Sequence, residues 1–71
     1  MKNISYYNYK YVGVLGLGLS GNAAARVLVN SKAIVFVFDD KKNKSLVPKK
    51  TTWLNYKDWN WEKIDTLFVS P

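Results

Sequence analysis

Three of the chain's four glycines fall within one hexapeptide, Gly16-Leu17-Gly18-Leu19-Ser20-Gly21. This is a G-x-G-x-x-G pattern, and the chemistry open to it is anion holding. A glycine at the first position allows a tight turn, and at the second it lets a diphosphate approach the backbone. At the third it allows a helix to pack closely on a strand. The first-turn N–H groups of that helix, at its positive end, then attract phosphate. Asp39 lies 18 residues beyond Gly21 and is followed by Asp40. An acidic residue roughly 20 positions past the glycines is the second half of this fingerprint, because its carboxylate accepts hydrogen bonds from a ribose or a base. Alone, the glycines could simply shape a turn, and Asp39-Asp40 could be a turn signal. Together they favour a nucleotide contact.

The elements needed to position these residues are legible on either side. Lys10 to Gly16 is short, nearly continuously apolar and ends in glycine, as suits a strand buried on both faces. From Leu19 to Asn30 the period becomes helical. Ser20, Ala24, Val27, Leu28 and Ser31 share one side, and Asn22, Arg26 and Asn30 form a polar stripe on another. Ser20 or Gly21 is the expected helix start, and Lys32 is placed to complement the far end of the dipole. Ala33 to Phe38 is a second buried strand, rich in β-branched and aromatic residues and stopped by Asp39-Asp40. Thr51 to Tyr56 suits a short third strand, Asp58 to Lys63 a brief helix, and Thr66 to Val69 a fourth strand. The order predicts an α/β fold: a Rossmann-like, partial doubly wound parallel sheet of about four strands and two helices over residues 10–71. Residues 1–9 read as a loose lead-in. Such a sheet has at least one thinly covered edge and face, from which marginal stability or self-association is expected.

Composition removes several alternatives. With 71 residues there is room for one small domain. The chain has no Cys and no His, so disulfides, thiol nucleophiles, the usual zinc ligands and Ser-His or Cys-His dyads are excluded. A 48% apolar content is too high for a disordered chain. The apolar stretch Tyr11 to Leu19 is too short for a membrane span and is interrupted by glycine. Lys2, Lys10 and Ala23-Ala24-Ala25 imitate parts of a secretion signal, but the polar start and broken apolar run argue against it, and a cytoplasmic location is expected. The net charge is +6, with Arg26 the only arginine. Lysine is the less specific phosphate ligand, so the charge alone points weakly to an anionic partner.

The stretch from Val14 to Leu28, with its Gly-Leu-Gly-x-Ser-Gly followed by Ala-Ala-Arg, resembles the start of the UDP-N-acetylmuramoylalanine–D-glutamate ligases. These are a branch of the Mur ligase family of peptidoglycan synthesis. Phe38-Asp39-Asp40-Lys41 fits the end of that family's second strand. Ile64 to Pro71 looks like its strand leading into Ser-Pro-Gly. The resemblance implies that the loop holds the UDP part of UDP-N-acetylmuramoyl-L-alanine. Gly18, Leu19 and Ser20, framed by Gly16 and Gly21, would lie against the diphosphate. Asp39 and Asp40 would lie near the uridine, and Ser70 and Pro71 would border the substrate. It further implies a ligase that adds D-glutamate using ATP and Mg²⁺ through an acyl phosphate.

The resemblance covers roughly residues 10 to 71 and only part of the first of the family's three domains. The central ATPase and C-terminal domains are not in this sequence. No G-x-x-x-x-G-K-[ST] phosphate loop occurs. No catalytic or metal-binding residue is therefore expected, nor ligase activity from this chain alone. Lys32-Ala33 stands where the family has Gly-Ala, with Asn30 a candidate for the left-handed helix end. Residues 42–63 match only in layout. Two other readings remain open. One is part of an NAD(P)-binding oxidoreductase, with Lys41 and Lys42 near the ribose position. The other is a basic nucleic-acid binder using the lysines between Lys41 and Lys50 with Trp53, Tyr56, Trp59 and Trp61. The blander account of those residues, tryptophans covering the core and lysines facing water, is the better one.

Overall fold

A computed structural model describes residues 5–41 and 47–70. The β-branched and aromatic runs form the strands Tyr11–Leu15 (β1), Ile34–Phe38 (β2), Thr52–Trp53 (β3) and Ile64–Val69 (β4). They make one sheet in the order β3-β2-β1-β4, with every pairing parallel. Between β1 and β2 runs the helix Leu19–Asn30 (α1). This is the α/β, Rossmann-like arrangement expected, with β1 flanked on both sides. The second helix is not formed. Asn55 caps a 3-10 turn at Tyr56–Asp58 by accepting from the Lys57 N–H, and Trp59 then turns extended and ends it.

The two faces of the sheet are covered by different means. Val12 and Val14 of β1 pair in register with Val35 and Val37 of β2, and all four are buried with Leu17, Ala25 and Leu28 beneath α1. The buried stripe of α1 is Gly21, Ala25 and Leu28. Of the expected stripe Ser20, Ala24, Val27, Leu28 and Ser31, the last two are buried, whereas Gly21 and Ala25 take the buried positions in place of Ser20 and Ala24. Smallness sets this phase, since Gly21 and Ala25 let the helix approach the sheet. Tyr7, read as part of a loose lead-in, packs against this core, its ring 6.2 Å from that of Phe68.

On the opposite face a helix is replaced by aromatic rings. Gly13 pairs with Phe36, and the Trp59 ring occupies the space that a Gly13 side chain would need. Trp59 is buried, donates from Nε1 to the Leu54 carbonyl at 2.8 Å, and lies 6.4 Å from Phe36 and 5.3 Å from Trp61. The cover is partial. Ile34, Leu67 and Val69, which share this face by register, remain exposed. Lys41, Lys49 and Lys50 face solvent as expected, whereas Lys42 and Lys44 lie outside the described residues.

The end of α1 corrects one further expectation. Lys32, not Asn30, takes the left-handed conformation, with φ of 64°. Its N–H donates to Val29 and the Ala33 N–H donates to Leu28, at 3.0 and 3.1 Å. These are the two bonds of a Schellman end, normally closed by glycine.

Two consequences can be measured by urea denaturation followed by circular dichroism. Lys32→Gly removes the side-chain clash of the left-handed residue and is expected to stabilise the chain by about 0.5–1 kcal/mol. Trp59→Ala empties the face over Gly13, a change that costs about 3–5 kcal/mol in other cores. A chain of this size holds only about 4–10 kcal/mol in total, so the variant should lose much of its stability and unfold at far lower urea.

Candidate functional site

The glycine loop connects β1 to α1 at the carboxyl ends of the strands. In the order β3-β2-β1-β4 the chain runs outward from β1 in both directions, so the β1/β4 boundary is the switch point where open α/β sheets bind ligands. The loop is tied to both neighbours. The Gly16 N–H donates to the Phe38 carbonyl at 2.9 Å, and the Ser70 N–H donates to the Leu15 carbonyl at 2.8 Å.

Each glycine has its own reason. Gly16 has φ of 90°, a conformation side chains rarely adopt. At Gly21 a side chain would overlap the Gly16 carbonyl oxygen. Gly18 differs from both. Its φ of −68° and ψ of −167° suit any residue, and an added Cβ would meet only the Ser70 Oγ, at an ordinary 3.6 Å. Folding therefore makes no demand for glycine there, and what the missing side chain leaves is open space over the loop.

Helix α1 begins at Leu19, with Gly18 as its N-cap, rather than at Ser20 or Gly21. No side chain caps it. The first intrahelical bond runs from the Asn22 N–H to the Gly18 carbonyl at 2.9 Å, so the N–H groups of Leu19, Ser20 and Gly21 precede the helical ladder. Leu19 and Ser20 are exposed beside them. An acceptor-rich group over Gly18 would complete these donors.

Ser70 is brought onto the loop from the far end of the sequence. It is the nearest side chain to the Cβ positions of Gly16, Gly18 and Gly21 alike, at 3.0, 3.6 and 3.2 Å. Pro71 lies outside the described residues. Asp39 is also held close, but by the protein's own backbone. Its Oδ2 accepts from the Leu17 N–H at 2.7 Å and its Oδ1 from the Lys41 N–H at 2.8 Å. Asp39 thus braces the glycine loop, a role its position at the strand end does not reveal. Asp40 is exposed alongside.

These residues surround a crevice of about 260 Å³, bordered by Gly16, Phe38, Asp39, Asp40, Tyr56 and Ser70. A second hollow adjoins Gly18 and Leu19 and is bordered by Asn22 and Arg26, whose Nε donates to the Asn22 Oδ1 at 2.8 Å. Tyr56, Asn22 and Arg26 are neighbours that sequence reasoning did not assign to the site. The i, i+4 spacing of Asn22 and Arg26 was visible but reads as a solvated stripe. Nothing local to Tyr56 indicates that its turn folds back to the loop. Among the described residues no group of three or more His, Cys, Asp or Glu could hold a metal ion, and no helix is long and apolar enough to cross a membrane.

The glycines give opposite expectations on substitution. Gly21→Ala should destabilise the chain by about 1–3 kcal/mol through overpacking, even though alanine is the better helix former by about 1 kcal/mol. Gly18→Ala should leave the urea midpoint nearly unchanged. Equal effects at the two positions would contradict this division.

Two curated relatives align with almost the whole chain. The UDP-N-acetylmuramoylalanine–D-glutamate ligase of Wolbachia pipientis wMel is 32% identical over 72 residues, covering 96% of this chain and 14% of the relative. The protein of the same name from Wolbachia sp. subsp. Brugia malayi (strain TRS) is 32% identical over 72 residues, with the same two shares. The chain therefore spans about one-seventh of the length of the curated relatives it matches. No family model matches it, and no solved structure matches it significantly. The similarity supports the Mur ligase family, the family whose opening residues the glycine loop resembles.

Proposed function

We propose that this chain serves as the UDP-holding region of a peptidoglycan ligase that adds D-glutamate to UDP-N-acetylmuramoyl-L-alanine. The diphosphate would sit over Gly18 against the Leu19, Ser20 and Gly21 N–H groups, with Gly16 and Ser70 forming the floor. The uridine would lie toward Asp39 and Asp40, and Pro71 would follow Ser70 along the substrate. The observation that carries this reading is Gly18, a glycine that the fold does not require, set at an uncapped helix start. The 32% identity to two D-glutamate ligases supports UDP over a redox dinucleotide in this reading.

The ATP and Mg²⁺ of that reaction do not fit the residues present. The sequence has no phosphate-loop lysine motif, and the described residues offer no cluster of metal ligands. The role of this chain in that reaction would be binding and orientation. Asp39 accepts from the Leu17 N–H, so in this reading the donors offered to the ligand are those of Leu19, Ser20 and Gly21, ahead of the first intrahelical bond.

Titration of the 71-residue chain with UDP and with NADH, followed by NMR, tests the reading. UDP is expected to bind and to shift the amide signals of Gly18, Leu19 and Ser20, with NADH weaker. Gly18→Ala should weaken UDP by roughly tenfold or more, the loss of about one charge-assisted hydrogen bond, while its melting temperature stays that of the wild type. Tighter binding of NADH would instead favour an oxidoreductase domain.

A further inference from the structure

Resting on the nucleotide reading, we propose that Tyr56 is the ring against which the ligand's base stacks, and that the neighbouring tryptophans exist to hold it there. Tyr56 borders the crevice with Asp39 and Asp40, and its ring lies 6.1 Å from that of Phe38, the last residue of β2. It is 40% exposed, so part of the residue remains open to a ligand.

Its backbone, by contrast, is fixed from several directions. The Tyr56 carbonyl accepts from the Trp59 N–H at 3.3 Å and from the Trp61 Nε1 at 2.9 Å. Asn55, immediately before it, accepts from the Lys57 N–H through its side chain and from the Asp58 N–H through its carbonyl, at 3.0 and 2.8 Å. Trp59 is itself locked over Gly13 and bonded to Leu54. An exposed aromatic side chain on so constrained a turn loses little freedom when a ligand arrives, which is the economy that binding surfaces use in rigid aromatic anchors.

Charge decides which part of the ligand goes there. The crevice carries two carboxylates, which repel phosphate and accept from the N–H and O–H groups of a nucleoside. The adjoining hollow at Gly18 carries Asn22 and the cationic Arg26 and no acid. A nucleoside diphosphate therefore lies with its base toward Tyr56 and its phosphates toward Gly18 and Arg26.

The test titrates the full chain with UDP and with inorganic diphosphate, comparing the wild type with Tyr56→Phe and Tyr56→Leu. Tyr56→Phe keeps the ring and should bind UDP within about twofold of the wild type. Tyr56→Leu should bind UDP roughly five- to hundredfold more weakly, the range for losing one aromatic stack, with diphosphate binding unchanged. If Tyr56→Leu binds UDP as the wild type does, or loses UDP and diphosphate in proportion, this inference falls while the nucleotide site stands. If the wild type binds neither probe, the nucleotide reading falls and this inference with it.

Discussion

The approach of α1 to β1 at Gly21 is the contact on which the rest of the structure depends. Only a residue without a side chain can lie so close to the Gly16 carbonyl. Once it does, the phase of the helix is set. Ala25 and Leu28 fall one and two turns later on the same side and meet Val12, Val14, Val35 and Val37. The same contact aims the start of the helix along the carboxyl edge of the sheet. Core packing and the direction of the first-turn N–H groups are therefore consequences of one constraint. A helix displaced by an added methyl group would lose both.

The second constraint is size. A parallel sheet needs cover on both faces, and the described residues supply one α-helix. The other face is closed with single large residues. Trp59 fills the space over Gly13, with the rings of Phe36 and Trp61 at 6.4 and 5.3 Å from it, and Phe38 and Tyr56 form a separate pair 6.1 Å apart. A ring buries more apolar area per residue than any aliphatic side chain, and an indole N–H can satisfy a backbone carbonyl as it does so. Both indoles use that property, the buried Trp59 on Leu54 and the exposed Trp61 on Tyr56. Of the residues that in the bare sequence suggest a nucleic-acid surface, Lys41, Lys49 and Lys50 face solvent and Trp59 is a buried structural ring.

Asp39 joins the two sides of the site. It accepts from the loop at Leu17 and from its own following turn at Lys41, so one carboxylate ties the end of β2 to the turn after β1. Charge placed there has a cost for an anionic ligand and a benefit for a hydroxyl or N–H donor. The asymmetry between the acidic crevice and the Arg26 side follows from this bracing, and it gives the proposed ligand a direction.

The α/β class, the four strands, the span of α1 and the glycine loop with its downstream acid were all legible in the sequence. They rest on local rules: runs of β-branched residues, a change of period, and glycines at fixed spacing. Where local rules compete with packing, the sequence misleads. The helical period puts Ser20, Ala24 and Val27 on the buried side with Leu28 and Ser31, yet in the first turns close packing at Gly21 selects Gly21 and Ala25 instead. Asn30 is the better intrinsic left-handed residue, yet the turn into β2 places Lys32 there. Asp58 to Lys63 has helical character, yet the space over Gly13 draws Trp59 out of it. The site divides the same way. Spacing alone marked Gly16, Gly18, Gly21 and Asp39, because a βα turn fixes their neighbourhood within a few residues. The arrival of Ser70 over all three glycines, the bracing role of Asp39 and the return of Tyr56 to the crevice were decided only by the tertiary structure. Each joins residues far apart in the chain, and such contacts depend on how the sheet is ordered and what fills the spaces its glycines leave.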